Sequence, residues 1–264
     1  MKRWLLLVGL VSLSAWAQAS RPGPIQPVQP PKVKRVPAQP VPEAPPLPAE
    51  EIIRLFTQKE EELKRARERY NFRQSVRVQE FEDGAAQGEF QMAGDVVLNA
   101  QGERIFRVTQ KAASTLRRSA FNEEDVKELA GLPLFILTPE QVAHYELTYM
   151  GRQPLDEITT YIFRVQPRQL NRRQRFYEGV IWVDDRDFAI VRSLGRFVAE
   201  VENEAEKKLF ERFEIYRELV DDKCWFPTYL RSDDVLKSEA GETRLRLVMR
   251  YTDYQPAAPQ AARP

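Results

Sequence analysis

The feature that most constrains the fold of this chain is an alternation of apolar and polar residues that recurs along its length. It is cleanest near the C-terminus, where Leu245, Leu247 and Met249 alternate with Arg244 and Arg246. Side chains two residues apart lie on the same face of a β-strand, so each such segment predicts a half-buried strand. The predicted strands are one from Phe72 onward, Gly88 to Leu98, Arg104 to Gln110, Tyr145 to Tyr149, Thr159 to Val165, Arg175 to Val183, Phe188 to Phe197, Lys207 to Leu219, Trp225 to Leu236 and Thr243 to Tyr254.

The connections between the late strands are too short to hold crossover helices, which predicts largely antiparallel pairing. A meander of roughly nine to eleven long strands curls into a barrel or a strongly bent sheet. We therefore predict one mainly β, α+β domain over residues 49–254, with helices covering an open side or face. Residues 255–264 are predicted to be a disordered tail.

Three helices are predicted. Pro48 followed by Glu50 and Glu51 indicates a helix start, because proline fits the first turn and carboxylates favour its exposed amides. The predicted packing face of this helix consists of Ile52, Leu55, Phe56, Lys59 and Leu63. The residues that follow are nearly all charged, so only the first three turns are expected to pack. Shorter helices are predicted from Asn122 to near Gly131 and from Thr138 through Val142.

The N-terminus has the three parts of a secretory signal. Lys2 and Arg3 precede an apolar run that ends in Ala17-Gln18-Ala19, a small-x-small cleavage pattern. We predict that residues 1–19 are a signal peptide, cleaved between Ala19 and Ser20. The run is shorter than the about 20 residues that a spanning helix needs. An uncleaved inner-membrane anchor is the alternative interpretation.

Residues 20–48 hold 11 of the 19 prolines in the chain. Such a segment cannot supply the backbone donors of a helix or sheet, and it favours an extended polyproline II conformation of about 3.1 Å per residue. It is predicted to be a Pro-rich linker. It is interpreted either as a solvated tether or as a semi-rigid arm that binds a partner.

Composition excludes several classes of function. The chain has one cysteine, Cys224, and one histidine, His144. That is too few for a disulfide framework or a Cys/His zinc site, and any Ser-His-Asp or Cys-His mechanism depends on that one imidazole. With 40 basic and 39 acidic residues the formal charge is +1, which supplies no field to attract nucleic acid. We predict a protein that is not an enzyme and that has no metal, no cofactor and no nucleic-acid partner.

Three segments of the late strands carry a resemblance to a known family. They are Tyr177 to Asp184 (YEGVIWVD), Phe188 to Arg192 (FAIVR) and Cys224 to Arg231 (CWFPTYLR). They resemble the periplasmic lipoprotein carrier and outer-membrane lipoprotein receptor superfamily (LolA/LolB-like), which includes outer-membrane lipoprotein-sorting proteins. The domain of RseB-like proteins is similar. In that superfamily a G-x-x-W-V/I-D strand ends in a turn, the next strand reads I-x-R, and a later strand carries F-P-T.

The resemblance covers residues 49–254 in strand order. It implies an unclosed β-barrel in the periplasm, with helices as a lid over an apolar cavity that accepts acyl chains. The partners that it implies are a lipid or lipoprotein acyl chain, an envelope protein and a peripheral contact with a membrane.

The candidate cavity residues are aromatic side chains concentrated in the late strands. They are Tyr161, Phe163, Tyr177, Trp182, Phe188, Phe197, Phe213, Trp225, Phe226, Tyr229 and Tyr251. Apolar ligands need concave apolar walls with few polar groups, and Trp182 and Trp225 are the strongest individual candidates. The alternative is that these side chains simply fill the barrel.

Two charged segments are also candidates. The segment from Arg164 to Arg175 is predicted to be a basic loop that joins two strands, with Arg168, Arg172, Arg173 and Arg175 as candidate contacts to anionic head groups or to a partner. The alternative is a solvated loop. The run Asp184-Asp185-Arg186-Asp187 is interpreted as a tight turn rather than as a calcium or paired-carboxylate site.

The sequence thus predicts a noncatalytic, exported envelope protein that binds or carries a lipid or lipoprotein acyl chain. The alternative is an envelope scaffold with a packed barrel and a Pro-rich arm that binds a partner.

Overall fold

The structure, a computed structural model, describes residues 44–99, 103–111, 114–119, 121, 125, 134–171, 174–200, 210–238 and 241–257. All of them belong to the second of two compact units, Met1–Pro37 and Ala38–Pro264. The predicted signal peptide, most of the Pro-rich linker and residues 258–264 lie outside the described residues. So does almost all of the helix predicted from Asn122 to near Gly131. Gln255 and Pro256, predicted to begin the disordered tail, belong instead to the last strand, where they pair with Asn71 and Tyr70.

Within the described residues, one α-helix is followed by ten strands. Helix α1 spans Ala49–Arg67. The strands are β1 (Tyr70–Glu82), β2 (Ala85–Leu98), β3 (Arg104–Lys111), β4 (Tyr145–Leu155), β5 (Ile158–Pro167), β6 (Phe176–Asp184), β7 (Ile190–Val198), β8 (Arg212–Val220), β9 (Cys224–Ser238) and β10 (Gly241–Pro256).

The ten strands form a single sheet in the order β3-β2-β1-β10-β9-β8-β7-β6-β5-β4. Every pairing is antiparallel, and the first and last strands are neighbours because β1 pairs with β10, with Val78 opposite Leu247. Within the described residues the sheet is not closed, because β3 and β4 are its edges. The predicted mainly β, open antiparallel architecture is confirmed.

Helix α1 is the α-helix whose bounds the described residues give, and Asp125, inside the helix predicted from Asn122 to near Gly131, is also helical. The helix predicted from Thr138 through Val142 is instead a turn that leads into a 3-10 turn at Val142–His144. The His144 amide donates to the Gln141 carbonyl at 3.0 Å, and β4 begins at the next residue. The chain therefore has room for a single tight turn only.

Turn residues set the ends of the strands. Asp83 and Gly84 join β1 to β2 with φ of 49° and 82°, the left-handed conformation that two-residue hairpins require. The sequence predicted that β4 ends at Tyr149, but it continues to Leu155 through Gly151 and Pro154. Proline removes a hydrogen-bond donor and is tolerated here because β4 is an edge strand.

The inner face of the sheet, defined as the face that α1 covers, carries the two larger apolar clusters. At the β4–β7 end, Ile52 and Phe56 of α1 pack against a cluster that includes Phe163. At the β1–β2 end, Val78 and Leu247 belong to a second cluster that also draws on β8 and β9. Burying such side chains contributes roughly 1.5–3 kcal/mol each, and this packing is what fixes which face of each strand points inward.

A buried ion pair attaches α1 to the sheet. Nη1 of Arg217 in β8 lies 2.6 Å from Oε1 of Glu60, and both side chains are 1% exposed. The same guanidinium donates to the carbonyl oxygen of Phe135 at 2.7 Å. Burial raises the pKa of Glu60, against the lowering effect of the Arg217 charge. The pair holds both the helix and the segment 134–138 against the inner face.

Removing one partner of this pair should strongly destabilise the fold. Glu60→Gln keeps the shape of the side chain but leaves the Arg217 charge buried without a counter-ion, which costs about 3–5 kcal/mol. The matched control is Glu62→Gln, whose partner Lys59 lies on the surface and whose side chain is 59% exposed. Its expected cost is about 0–1 kcal/mol. Urea unfolding measures both, and equal losses would contradict the assignment.

A second buried carboxylate predicts acid sensitivity. Glu80 of β1 accepts hydrogen bonds of 2.6–2.9 Å from the backbone amides of Arg117, Arg118 and Ser119. Burial by itself raises the pKa of Glu80, but the amide bonds outweigh burial and the pKa is lowered from its ordinary value of 4.5. The Glu80 carboxylate therefore contributes its full stabilisation of the fold when the pH is above the ordinary pKa of the group. This stabilisation is lost as the pH falls through the lowered pKa of the folded state.

Glu80→Gln should consequently cost about 1–3 kcal/mol of unfolding free energy at pH 7. The gap between the two proteins should shrink as pH falls below about 4, because protonation removes the same charge from the wild type. Unfolding curves from pH 7 to pH 3 measure this. A gap that does not change with pH would show that the carboxylate charge does not hold the segment.

Candidate functional site

The inner face encloses a cavity of about 630 Å³. Its lining includes Ile105 of β3 and Tyr177 of β6, strands that are seven positions apart in the sheet. In a flat sheet, seven steps of about 4.8 Å would separate them by about 34 Å. Residues of both strands line one cavity, so the sheet is strongly bent, as the sequence predicted.

The walls of the cavity are mainly apolar. They include Phe213 and Ile215 of β8, Leu230 of β9, and Leu134 and Phe135 from the segment that Arg217 holds in place. The volume falls within the range of about 300–1,000 Å³ that small-molecule sites occupy.

Two glycines shape one wall. Gly179 of β6 and Gly195 of β7 are direct partners in the sheet. A Cβ on Gly195 would lie 2.5 Å from the Tyr177 hydroxyl oxygen, so the missing side chain lets the Tyr177 ring lie across the strands. That ring stacks on Phe135 with centroids 3.9 Å apart, and burial raises the pKa of the Tyr177 hydroxyl well above its ordinary value. Tyr177 therefore presents a neutral ring surface.

One end of the cavity is polar. It holds Arg67 from the last turn of α1, Arg104 from the start of β3, and Tyr251 and Tyr254 from β10. The Arg104 guanidinium donates to the backbone carbonyl of Arg67. Burial lowers the pKa of Arg67 to about 10, and the nearby charge of Arg104 contributes to this shift. Both arginines are therefore cationic at neutral pH. Burial raises the pKa of both tyrosines, which are therefore neutral.

Two more polar side chains line the cavity deeper inside. Gln74 of β1 and Ser193 of β7 are each 1% exposed. Gln74 Nε2 has no hydrogen-bond partner among the described residues, whereas Ser193 Oγ lies beside the Tyr177 hydroxyl. A buried donor without a partner costs about 1–3 kcal/mol, so the Gln74 amide favours a ligand that carries an acceptor.

Four of the predicted aromatic residues line the cavity: Tyr177, Phe197, Phe213 and Tyr251. Phe226 lies behind that lining and stacks on Tyr254, with centroids 4.6 Å apart.

Three other candidates lie at the opposite end of the inner face. Tyr161 and Phe163 belong to the cluster that α1 covers, and Phe188 packs against that cluster. The Phe163 ring lies 5.7 Å from Phe56 of the helix. These side chains fill the core, as the alternative interpretation of the aromatic set proposed.

Trp182 and Trp225 do not line the cavity. Tyr177, Gly179 and Ile181 face inward along β6, and alternation therefore places Trp182 on the outer face. There it belongs to a small cluster against which Trp225 packs, and the Arg192 guanidinium lies 4.2 Å from its ring centroid. The indole nitrogen of Trp225 donates to Asp187 at 3.2 Å.

Tyr229 does not line the cavity either. Its ring is half-buried, and its centroid lies 5.4 Å from the Arg250 guanidinium.

The basic loop is separate from the cavity. Arg168 and Arg175 are exposed, and Arg175 donates to the carbonyl of Phe197 at 3.0 Å. Arg172 and Arg173 lie outside the described residues.

The acidic run forms the predicted turn. Oδ1 of Asp184 accepts hydrogen bonds from the amides of Arg186 and Asp187 at 2.7 and 2.8 Å.

Sequence reasoning missed the polar end of the cavity. It assigned the charged end of α1 to solvent, whereas Arg67 is half-buried in the structure. Alternation along β3 offered one signal, because Arg104 and Phe106 share a face and Phe106 packs against the inner cluster. The strand order, in which β1 pairs with β10, is what brings β3 and Tyr254 of β10 close to the end of α1.

Nothing in the described ranges points to a metal site or to a membrane-spanning helix. No group of three or more His, Cys, Asp or Glu side chains there could hold a metal ion. No helix there is long and apolar enough to cross a membrane. His144 is exposed, and burial raises the pKa of the half-buried Cys224 thiol.

No protein-family model matches the chain, and no curated protein matches it either. Among solved structures, the chain is similar to a LolA superfamily protein from Nitrosomonas europaea, with 15% identity, 80% of this chain and 94% of that chain covered, and a TM-score of 0.36. It is similar to a DUF1329 family protein from Desulfovibrio piger, with 12% identity, coverage of 78% and 93%, and a TM-score of 0.36.

It is also similar to a putative outer membrane lipoprotein-sorting protein domain from Vibrio parahaemolyticus, with 10% identity, coverage of 77% and 93%, and a TM-score of 0.34. Two of these structures bear names from the superfamily that the late strands resemble. At these TM-scores the likeness carries no argument about this chain.

The glycine pair generates a prediction about packing. Gly195→Ala should push the Tyr177 ring and the Glu178 carbonyl oxygen, which would lie 2.3 Å from the new Cβ. Overpacking of this kind costs about 1–3 kcal/mol. Ser193→Ala, two residues away on the same face, is the matched control, and it should cost less because it removes a hydroxyl and adds no atom to the packed wall. Thermal unfolding compares the two, and an equally tolerated Gly195→Ala would contradict the close packing.

Proposed function

We propose that this chain is a noncatalytic envelope protein that binds the acyl chain of a lipid or lipoprotein in the cavity of the inner face. The observation that carries this proposal is the cavity itself, about 630 Å³ in volume with walls of Phe213, Ile215 and Leu230. A barrel packed solid by its own side chains, as the scaffold interpretation requires, would have no such space. The cavity therefore favours binding over scaffolding.

The chemistry of the cavity supports binding rather than catalysis. A nucleophile needs an adjacent base, and the single histidine is exposed on the 3-10 turn before β4. The titratable side chains that line the cavity are arginines and tyrosines, and burial keeps the tyrosines neutral. Such groups hold and orient a ligand and do not exchange protons with it near neutral pH.

We further propose that the protein works in the periplasm. The basic and apolar residues at 1–19 support export, and residues 20–48 would serve as the linker between the cleavage site and the domain at 49–254. The exposed Arg168 and Arg175 are candidates for a contact with a membrane surface or an envelope partner during transfer of the ligand. Transport of a lipid or lipoprotein fits this arrangement.

Filling the cavity tests the proposal. Ile215→Trp and Leu230→Trp place large rings in the space, and each should lower the uptake of a fluorescent fatty acid by about tenfold or more, because the ring occupies the volume of the chain. Leu219→Trp is the matched control, since Leu219 is on the same strand as Ile215 but is 41% exposed and outside the lining. It should leave uptake unchanged.

Uptake is measured by fluorescence titration, with thermal unfolding run in parallel to show that each variant is folded. Folded filling variants that take up the probe as well as the wild type does would overturn the proposal. So would a wild-type protein that takes up none.

A further inference from the structure

Cationic and hydrogen-bond-donating groups collect at one end of the cavity. Arg67 and Arg104 come together there because the Arg104 guanidinium donates to the Arg67 carbonyl. The Arg104 guanidinium also lies 5.7 Å from the centroid of the Phe72 ring, which orients it toward the lining. Arg67 ends α1 and Arg104 begins β3, so the fold brings together two arginines that are 37 residues apart in the sequence.

The charge at this end is not balanced locally. Among the described residues that line the cavity there is no Asp or Glu, and within the described part of the chain neither Arg67 nor Arg104 forms a salt bridge. Glu68, which is exposed as Arg104 is, lies close enough to raise the pKa of Arg104, but it does not line the cavity. Arg217 adds a further positive charge within reach of Arg67, although its own partner is Glu60.

The neutral groups at this end are also donors. The Tyr251 hydroxyl has one weak contact, with the sulfur of Met249 at 3.9 Å, and the Tyr254 hydroxyl donates to the Pro227 carbonyl at 2.5 Å. Gln74 lies opposite Tyr251 in the sheet, and its Nε2 has no partner among the described residues. Because Gln74 is 1% exposed, its amide cannot be satisfied by bulk water.

We propose that this polar end binds the anionic head group of a single-chain amphiphile whose apolar chain lies along the walls of Phe213, Ile215 and Leu230. This inference rests on the proposed function and adds the charge of the ligand to it. A carboxylate or a phosphate monoester suits the site equally, because both are oxyanions that accept several hydrogen bonds from guanidinium and amide donors. Arg67 and Arg104 would contact the oxyanion, and the Gln74 amide would donate to an oxygen nearer the chain.

The test compares ligands that share one chain and differ in the head group. The full chain, freed of bound lipid, is titrated with dodecanoate, dodecyl phosphate, dodecanol and dodecyltrimethylammonium below their micelle concentrations, with displacement of a neutral fluorescent probe as the readout. Inorganic phosphate is a separate arm. We expect both anions to bind about ten- to a hundredfold more tightly than dodecanol, since hydrogen bonds to charged groups are the strong ones.

Variants assign the preference to its residues. Arg67→Gln and Arg104→Gln should each reduce the affinity for dodecanoate about tenfold and leave the affinity for dodecanol unchanged. Arg107→Gln is the matched control, because Arg107 is exposed on the same strand as Arg104 and lies outside the lining. If Arg104→Gln disturbs the fold through loss of its bond to the Arg67 carbonyl, Arg67→Gln alone decides, because that carbonyl belongs to the backbone.

The outcomes separate this inference from the proposed function. Equal affinities for dodecanoate and dodecanol would overturn the anionic site and leave the apolar cavity standing. Binding of inorganic phosphate as tight as that of dodecyl phosphate would overturn the amphiphile, since the chain would then contribute nothing. Failure of all four amphiphiles to bind would overturn both proposals.

Discussion

The ion pair between Glu60 and Arg217 is the interaction on which the rest of the inner face depends. Both groups are buried, and neither charge would be tolerated there without the other. Arg217 also holds the carbonyl of Phe135, so one guanidinium fixes the helix and a covering segment at the same point of the sheet. Ile215, the preceding inward residue of β8, already lines the cavity. The pair therefore lies beside the cavity wall and fixes the distance from that wall to α1 and to the segment 134–138.

The inner face is packed differently on the two sides of the Glu60–Arg217 pair. Under the first turns of α1, the side chains of β4 to β7 pack into a solid core. Toward β1, β2 and β10 the sheet bends round, and the glycine pair of β6 and β7 gives room for the Tyr177 ring to lie flat. The strand order brings the arginine at the end of α1 to the arginine at the start of β3. One bent sheet thus supplies a packed core, an apolar cavity and a cationic end.

The strands could be predicted from the sequence because alternation and turn residues are local signals. The end of β4 could not, because Gly151 and Pro154 interrupt the pattern and only the position of β4 at the sheet edge makes them acceptable. The cavity-facing side of β6 was equally hidden. Ile181, Trp182 and Val183 are all buried, so both faces of this strand are apolar and alternation does not tell which one points inward.

The polar end of the cavity was beyond sequence reasoning for a different reason. A charged last turn is what a solvent-exposed helix end also has, and Arg67 is distinguished only by the strands that surround it. Arg104, Tyr254 and Gln74 are far apart in the chain and come together through long-range pairing of β1 with β2 and β10. Their common feature, donors without acidic partners, exists only in the folded protein.

Native mass spectrometry of the full chain, purified from membranes in mild detergent, shows whether the cavity holds an amphiphile. We expect a discrete added mass that corresponds to one amphiphile per chain and that disappears when Ile215→Trp fills the cavity. Protein that carries no added mass, and that also fails to take up a fluorescent fatty acid after purification, would show that the cavity is not a binding site.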